Sequence, residues 1–286
     1  MDFKTGEAYR DINSLIERLE GWSLIDARAR LPEAIAYASG LGIKRNKDGM
    51  FLLSSNAKLK KGAGKGFLVL GFQGASGKRS GHIVCGSAVT HAMECLGLCN
   101  LTAGNGRFES VYNSRKRRTW FLFEDPALWV ALLIHDLEVA RFMAQALGLS
   151  LAIRLNVFSD IPWELVIPWL FPLFPLVTFY DYTKEEWRLD QPMPVNYRLT
   201  LSYNETIEIE TAKHWISQGQ NVAVVFNTTK HRGLPSHWNG IEVIDGDEHD
   251  LRFLDPAGVV VGLIAKGKAT HTKKLDIDSS VFVQNV

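Results

Sequence analysis

The sequence predicts an α/β protein with a parallel sheet that is barrel-like or a partial barrel and is covered by helices. Beyond residue 119, short apolar runs alternate with stretches of helical periodicity. The apolar runs are continuous, which is typical of parallel strands that are buried on both faces. Polar residues follow each run, as they do around the pocket of α/β barrels and open α/β sheets.

A small helical and loop-rich region comes before the sheet. Apolar residues recur at helical spacing over residues 8–19, and Pro32 fits the first turn of a second helix over residues 31–41. A basic, glycine-rich stretch with one predicted strand, Phe67–Phe72, follows. We therefore divide the chain into a helical region (1–48), a basic segment that contains the cysteines (49–118) and the α/β region (119–286), with residues 49–286 forming one domain.

The α/β region begins with an apolar run at residues 119–123, which we predict to be a strand. Asp125 and Pro126 then fit the start of a long helix, and Gly148 fits its end. Further helices are predicted over residues 162–171 and 206–217. Further strands are predicted over residues 151–155, 176–180, 197–201, 222–226 and 259–265.

Polar residues at the predicted strand ends are the candidates for chemistry. The carboxyl ends of parallel strands meet at one edge of a sheet, so we expect these residues to surround one pocket. Asp160, Asp181, Lys184 and Lys266 could act there as acid, base or positioning groups. Each could instead be an ordinary cap or turn residue, and Asp160 with the following Pro162 fits a helix N-cap.

The composition indicates a soluble globular chain. With 46% hydrophobic and 22% charged residues, the chain can build a sizeable core, which excludes a disordered or fibrous protein. Its N-terminus lacks the apolar region of a secretory signal. The most apolar stretch, residues 165–180, contains three prolines and is shorter than the roughly 20 residues that cross a bilayer. We therefore expect a cytoplasmic protein without membrane partners.

A formal net charge of +1 hides a strongly basic segment. Residues 44–118 contain 14 Lys or Arg against three acidic residues, whereas the rest of the chain has 18 against 28. Clustered cations are typical of proteins that bind nucleic acid or a highly phosphorylated ligand, although charge runs also occur on solvated faces. The candidate nucleic-acid-binding residues are Lys58, Lys60, Lys61, Arg107, Arg115, Lys116, Arg117 and Arg118. Nearby aromatic residues that could stack on bases or pack in the core are Phe108, Tyr112 and Trp120.

All three cysteines, Cys85, Cys95 and Cys99, lie within fifteen residues of one another. Three thiolates could hold a soft metal or three irons of a four-iron cluster. A structural zinc normally has four ligands, and His82 or His91 could supply the fourth. The alternative is that the cysteines are buried without a ligand.

An acidic stretch near the C-terminus is the last candidate. Asp247 and Asp250 could hold a cation, or they could orient Arg252 through a bidentate ion pair. Both could equally belong to a tight turn, because Asp-Gly at residues 245–246 and Asp-Pro-Ala-Gly from Asp255 onward are typical turn sequences.

Several motifs occur together in the chain. They are Asn56-Ala-Lys58-Leu, the cysteine segment running into Ala103-Gly104-Asn105-Gly106-Arg107, Arg118-Thr119, Arg154-Leu-Asn-Val-Phe-Ser-Asp160-Ile-Pro-Trp, Tyr180-Asp-Tyr-Thr-Lys184, Asp247-x2-Asp250-x-Arg252 and Ala265-Lys-Gly-Lys-Ala269. This combination resembles the "gene product eighty-eight" domain family of bacteriophages and bacterial mobile elements, over roughly residues 50–270. The resemblance implies a phage or prophage setting, hence the host cytoplasm, and carries no assigned biochemical role.

The cysteine segment followed by a barrel-like region is also similar, more faintly, to the radical S-adenosylmethionine enzymes. In those enzymes three thiolates hold an iron–sulfur cluster whose open iron binds the cofactor. The spacing here, C-x9-C-x3-C, differs from the C-x3-C-x2-C of that family. The similarity implies only that Cys85, Cys95 and Cys99 ligate a cluster.

Two functions follow as expectations. The first is an enzyme that modifies a base in nucleic acid or a nucleotide, either by radical chemistry with an iron–sulfur cluster and S-adenosylmethionine or by transglycosylase-like base exchange with a structural zinc. The second is a non-catalytic DNA- or RNA-binding protein. The sequence leaves the substrate, the metal and the oligomeric state open.

Overall fold

A computed structural model describes residues 6–86, 108–204, 206–266 and 283–285 and confirms the α/β class. The helices are α1 (Arg10–Leu19), α2 (Leu24–Ala29), α3 (Leu31–Gly40), α4 (Glu109–Glu124), α5 (Pro126–Ala146), α6 (Trp163–Val166), α7 (Leu170–Leu173) and α8 (Ile209–Ser217). The strands are β1 (Leu53–Ser54), β2 (Phe67–Phe72), β3 (Ser150–Arg154), β4 (Thr178–Thr183), β5 (Tyr197–Ser202), β6 (Val222–Asn227), β7 (His237–Trp238), β8 (Ile241–Asp245), β9 (Val260–Ile264) and β10 (Val283–Asn285). Short 3-10 helices cover Glu7–Tyr9, Leu59–Lys65, Glu186–Asp190 and Arg252–Leu254.

The sheet has ten strands in the order β1-β2-β3-β4-β5-β6-β9-β8-β7, and β10 pairs with β6. In this spatial order, all pairings between β2 and β8 are parallel. The end strands β1 and β7 pair antiparallel with β2 and β8, respectively. Neighbours from β2 to β6 follow one another in chain order, as strands do in a barrel.

The sheet is strongly curled. The connection between β8 and β9 lies at one end of the strand order, yet it contacts the other end. Lys65 forms an ion pair with Glu248 at 2.7 Å, and the rings of Phe67 and Phe253 lie 5.1 Å apart. This connection therefore bridges the two ends of the sheet on its concave side.

Both faces of the first strands are buried, as their continuous apolar runs predict. Leu70, Ile153 and Phe179 face the large core that they share with α1 to α5. The alternate residues, Val69 and Ala152 among them, face the opposite side. There they form a smaller core with Leu59, Tyr180 and Leu251.

Helix α5 is the centre of the large core, and α1, α2 and α3 all pack against it. Its buried Asp136 accepts hydrogen bonds from the backbone N–H groups of Phe51, Leu52 and Leu53 at 2.6–3.0 Å. A carboxylate inside the core therefore holds the first residues of the basic segment in position. Sequence reasoning missed this residue because no motif or strand end marks it.

Two predictions about the elements are wrong. Residues 119–123 are the end of α4, because a five-residue apolar run has no period of its own and here continues the helix that begins at Glu109. The helix predicted over residues 162–171 is two short helices, α6 and α7, interrupted near Pro168, which has no N–H group to donate. The other predicted strands and the long helix after Asp125 are confirmed, with ends shifted by a few residues. Within the described residues, none of the helices is long and apolar enough to span a membrane.

Candidate functional site

The structure brings the ends of β3 and β4 together, as predicted for the carboxyl edge. Asp160 accepts hydrogen bonds from the backbone N–H of Lys184 at 2.7 Å and from the hydroxyl of Thr183 at 3.2 Å. Asp181 accepts one from the backbone N–H of Asn156 at 2.7 Å. The side chain of Lys184 lies 3.5 Å from the hydroxyl of Ser202 at the end of β5. Three consecutive strand ends thus share one polar network.

A buried arginine that sequence reasoning missed organises this network. The guanidinium of Arg188 donates two hydrogen bonds to Glu164, at 2.8 and 2.6 Å, and a third to Asp160. It also donates to the hydroxyl of Tyr197, which in turn donates to Asp181 at 2.9 Å. Arg188 carries no local signal, because it lies in a 3-10 helix outside every motif.

The two candidate carboxyl groups of this network have raised pKa values. Burial raises the pKa of Asp160 to about 6, against the opposing charge of Arg188. Burial also raises the pKa of Asp181 to about 7, against the opposing charge of Arg154. Asp160 is 4% exposed and Asp181 is 0% exposed, so both are enclosed by protein donors rather than open to solvent.

A second cluster, which we call the Asp250 cluster, lies on the concave face of the sheet. It comprises Lys58, Arg154, Tyr180, Tyr182 and Asp250. The carboxylate of Asp250 pairs with Lys58 at 2.8 Å and Arg154 at 3.0 Å, and it accepts from the hydroxyl of Tyr180 at 3.3 Å. Both cations lie over the ring of Tyr182. Burial alone would raise the pKa of Asp250, but Lys58 and Arg154 hold it well below its usual range.

The remaining C-terminal candidates pair differently from the sequence prediction. Arg252 forms its ion pair with Asp255 at 3.2 Å, because Asp250 is already engaged by Lys58 and Arg154. Asp247 pairs with Lys266 and accepts from the backbone N–H of Ile264 at 3.0 Å, so it joins the ends of β8 and β9.

Three basic stretches of the chain meet beside this edge, and we call them together the basic region: residues 54–65, residues 73–86 and α4. The amide of Gln73 donates to the hydroxyl of Ser54 at 3.0 Å. Thr119 of α4 accepts from the backbone N–H of Ala75 at 2.8 Å. Arg118 of α4 donates to the carbonyl oxygen of Phe51 at 2.9 Å. These contacts join distant parts of the basic segment, although Lys61 and Lys65 of the first stretch pair with Asp247 and Glu248 of the β8–β9 connection.

A groove lies within the basic region, between α4 and the β1–β2 pair. It has a volume of about 280 Å³. Its lining residues are Ser54, Gln73, Ser110, Val111, Ser114, Arg115 and Arg118. The guanidinium of Arg115 stacks over the ring of Phe158, 4.0 Å from its centre. The groove thus adjoins the loop after β3, which also contains Asp160.

The predicted nucleic-acid-binding residues differ in exposure. Lys60, Lys61 and Arg117 are exposed, although Lys61 donates to the carbonyl oxygen of Asp247 at 2.6 Å, and Phe108 at the start of α4 is 49% exposed. In contrast, Arg115 is buried, and Lys58 and Arg118 are partly buried with protein partners. Lys116 lies over the ring of Tyr112. Arg107 lies outside the described residues.

The predicted metal ligands are only partly described. Cys85 is buried, whereas Cys95 and Cys99 lie outside the described residues. Within the described part of the chain, no group of three His, Cys, Asp or Glu side chains is arranged to hold a metal ion. The three-cysteine site therefore stays a prediction.

These observations define a mixed α/β protein whose mostly parallel sheet gathers polar and basic side chains at its carboxyl edge. A family model described as Gene product 88 matches residues 50–283. The match covers well over half of the 286 residues, so the chain belongs to the Gene product 88 family, and the resemblance seen in the sequence is confirmed. No curated protein and no solved structure matches the chain significantly.

Proposed function

We propose that this protein binds nucleic acid through the basic region. The observation that carries the proposal is the contact between three basic stretches that are separated in the chain. Gln73 joins the second stretch to the first, and Thr119 joins α4 to the second. Cations concentrated in one part of an otherwise acidic chain attract a phosphate backbone and displace its counterions.

The exposed residues of α4 would make the electrostatic contacts. Arg117 is exposed and Lys116 is partly exposed, whereas their neighbours Arg115 and Arg118 turn towards the groove. The ring of Phe108 at the start of the same helix offers a surface on which a base can stack. Charge and an aromatic ring on one helix are the combination that single-stranded nucleic acid favours.

Fluorescence anisotropy with labelled single-stranded and duplex oligonucleotides tests this proposal. If four to six phosphates are neutralised, the logarithm of the affinity should fall with the logarithm of salt with a slope of about −4 to −5. Replacing both Lys116 and Arg117 by Ala should reduce the slope by about 2. The matched control is Arg141→Ala, an exposed arginine on α5. A flat salt response, or equal effects of the test and control variants, contradicts the proposal.

A second candidate is that the bound nucleic acid is modified at the carboxyl edge. The observation that favours it is the polar network that joins these strand ends, in which burial raises the pKa of Asp160 to about 6 and that of Asp181 to about 7. Lys184 and Lys266 would then position the substrate. Mass spectrometry of nucleosides recovered after incubation tests for a modified base, and an unchanged nucleoside profile in the presence of bound nucleic acid leaves binding as the function.

A metal centre formed by Cys85, Cys95 and Cys99 belongs to this second candidate. Iron with sulfide in anaerobically purified protein would support an iron–sulfur cluster that binds S-adenosylmethionine. Zinc alone would support a structural site. Loss of the metal in Cys95→Ser would assign it to these cysteines, and the absence of both metals from the wild-type protein would contradict the metal centre.

A further inference from the structure

We infer that the groove between α4 and the β1–β2 pair is a binding site for a single phosphate monoester group. The described residues that line it include two arginines and three serines, and none of them is acidic. Phosphate oxygens accept hydrogen bonds from guanidinium and hydroxyl groups, and arginine recognises them with two parallel N–H donors. This inference builds on the proposed function and names the group that the basic region recognises.

The geometry of α4 concentrates these donors on one side of the helix. Ser110, Ser114 and Arg118 are spaced four residues apart, so they lie on one face, and Arg115 lies beside them. Ser110 is in the first turn, where the positive end of the helix dipole adds a further attraction for an anion. The opposite wall is supplied by the β1–β2 pair.

The guanidinium of Arg118 is held in place before any ligand arrives. It donates to the carbonyl oxygen of Phe51 and to the hydroxyl of Ser114, each at 2.9 Å. Burial lowers the pKa of Arg118 against the opposing charge of Asp136. The protein's own carboxylates therefore compensate this cation only in part, and an anion in the groove would complete the compensation.

The size of the groove favours a small anion. Ligand pockets usually measure about 300–1,000 Å³, and this one, at about 280 Å³, lies just below that range. It is suited to a phosphate group and its attached sugar rather than to a base pair. A monoester is favoured over an internal diester because its three terminal oxygens and second negative charge can engage both arginines and the serine hydroxyls at once.

The phosphate group could belong to a small molecule or to the end of a nucleic acid, and two experiments distinguish these sources. The first arm measures binding of inorganic phosphate and of a nucleoside monophosphate by calorimetry. The second compares an oligonucleotide that carries a terminal phosphate with the same oligonucleotide ending in hydroxyl groups. We expect the terminal phosphate to increase affinity by at least about tenfold, the effect of one charge-assisted hydrogen bond.

Variants assign the effect to the groove. Arg118→Ala and Ser114→Ala should each abolish most of the preference for the terminal phosphate, and Arg141→Ala is the matched control. Because Arg118 also holds the carbonyl of Phe51, Arg118→Lys provides a folded variant that keeps the charge but lacks the paired N–H donors. Thermal unfolding checks that each variant is folded.

The outcomes distinguish this inference from the proposed function. Equal binding of the two oligonucleotides, or a terminal-phosphate preference that survives Arg118→Lys and Ser114→Ala, overturns the phosphate site and leaves nucleic-acid binding intact. Binding of free phosphate and nucleoside monophosphate in the groove without affinity for either oligonucleotide supports the site and contradicts the proposed function.

Discussion

Arg188 and Glu164 form a two-bond ion pair that is closed to solvent. Both side chains are 0% exposed, and the two hydrogen bonds measure 2.8 and 2.6 Å. Asp160 pairs with the same guanidinium, so one buried cation serves two carboxylates. Burial raises the pKa of Asp160, and the shared charge of Arg188 opposes this rise only in part.

Replacing Arg188 by Met should strongly destabilise the fold. Removal of one partner leaves a buried charge without compensation, which typically costs about 3–5 kcal/mol of unfolding free energy. Chemical denaturation measures this loss. The matched control is Arg28→Met, which breaks a solvent-exposed pair with Glu138 and should cost at most about 1 kcal/mol. A similar loss in both variants would contradict the structural role of Arg188.

Replacing Asp181 by Asn should change how stability depends on pH. The pKa of Asp181 is raised to about 7 in the folded protein, so its stabilising contribution is complete below the usual Asp pKa of about 4 and is lost as the pH rises through 7. The Asn variant lacks this loss. The free energy of unfolding of the variant, relative to wild type, should therefore rise by several kcal/mol between about pH 4 and pH 8, as followed by urea denaturation. A pH-independent difference would show that Asp181 does not titrate in this range.

Replacing Asp250 by Asn should produce the opposite pH trend. The pKa of Asp250 is lowered by Lys58 and Arg154, so its stabilising contribution is present above the usual Asp pKa and is lost as the pH falls below it. The variant should be most destabilised at neutral pH, with a difference that shrinks in acid. The same denaturation series, run beside Asp181→Asn, checks both signs. If the difference in unfolding free energy between the variant and wild type grows in acid, the ion pairs assigned to Asp250 are contradicted.

Replacing Gly71 by Ala should disturb the loop after β3. An added Cβ would lie 2.6 Å from a methyl group of Val157 and 2.7 Å from the carbonyl oxygen of Arg154. Relief of this overlap should cost about 1–3 kcal/mol of unfolding free energy. Gly64→Ala is the control, because nothing lies within 4 Å of its Cβ position, and it should be neutral. Equal stabilities of the two variants would show that the loop does not depend on this close approach.

The central strands were predictable because their residues are buried on both faces. Runs such as Val222–Asn227 and Val260–Ile264 are almost entirely apolar and do not alternate with polar residues. This pattern is typical of strands that are buried on both faces. The structure of residues 119–123 was not predictable, because a short apolar run is equally compatible with a strand and with the end of a helix. The structure shows that the helix beginning at Glu109 continues through residues 119–123, most of whose apolar side chains are buried as part of that helix.

The candidate site was predictable in part for a similar reason. Asp160 and Lys184 follow β3 and β4, and Asp181 lies in the second half of β4, so parallel pairing alone brings them towards one edge. Arg188 and Glu164 were not predicted, because an arginine's burial and its partner depend on which elements pack above it. Nothing in a local pattern contains that information.

The sequence by itself determined the alternation of strands and helices, the family motifs and the concentration of cations in residues 44–118, since each of these follows from residue types at local spacing. The tertiary structure alone decided which charges are engaged and which face solvent. Lys58 pairs with Asp250, whereas Arg117 stays exposed, although both count equally in the composition. The physical reason is that the curl of the sheet and the packing of α4 set distances between residues that are far apart in the chain, and those distances decide which charges form ion pairs.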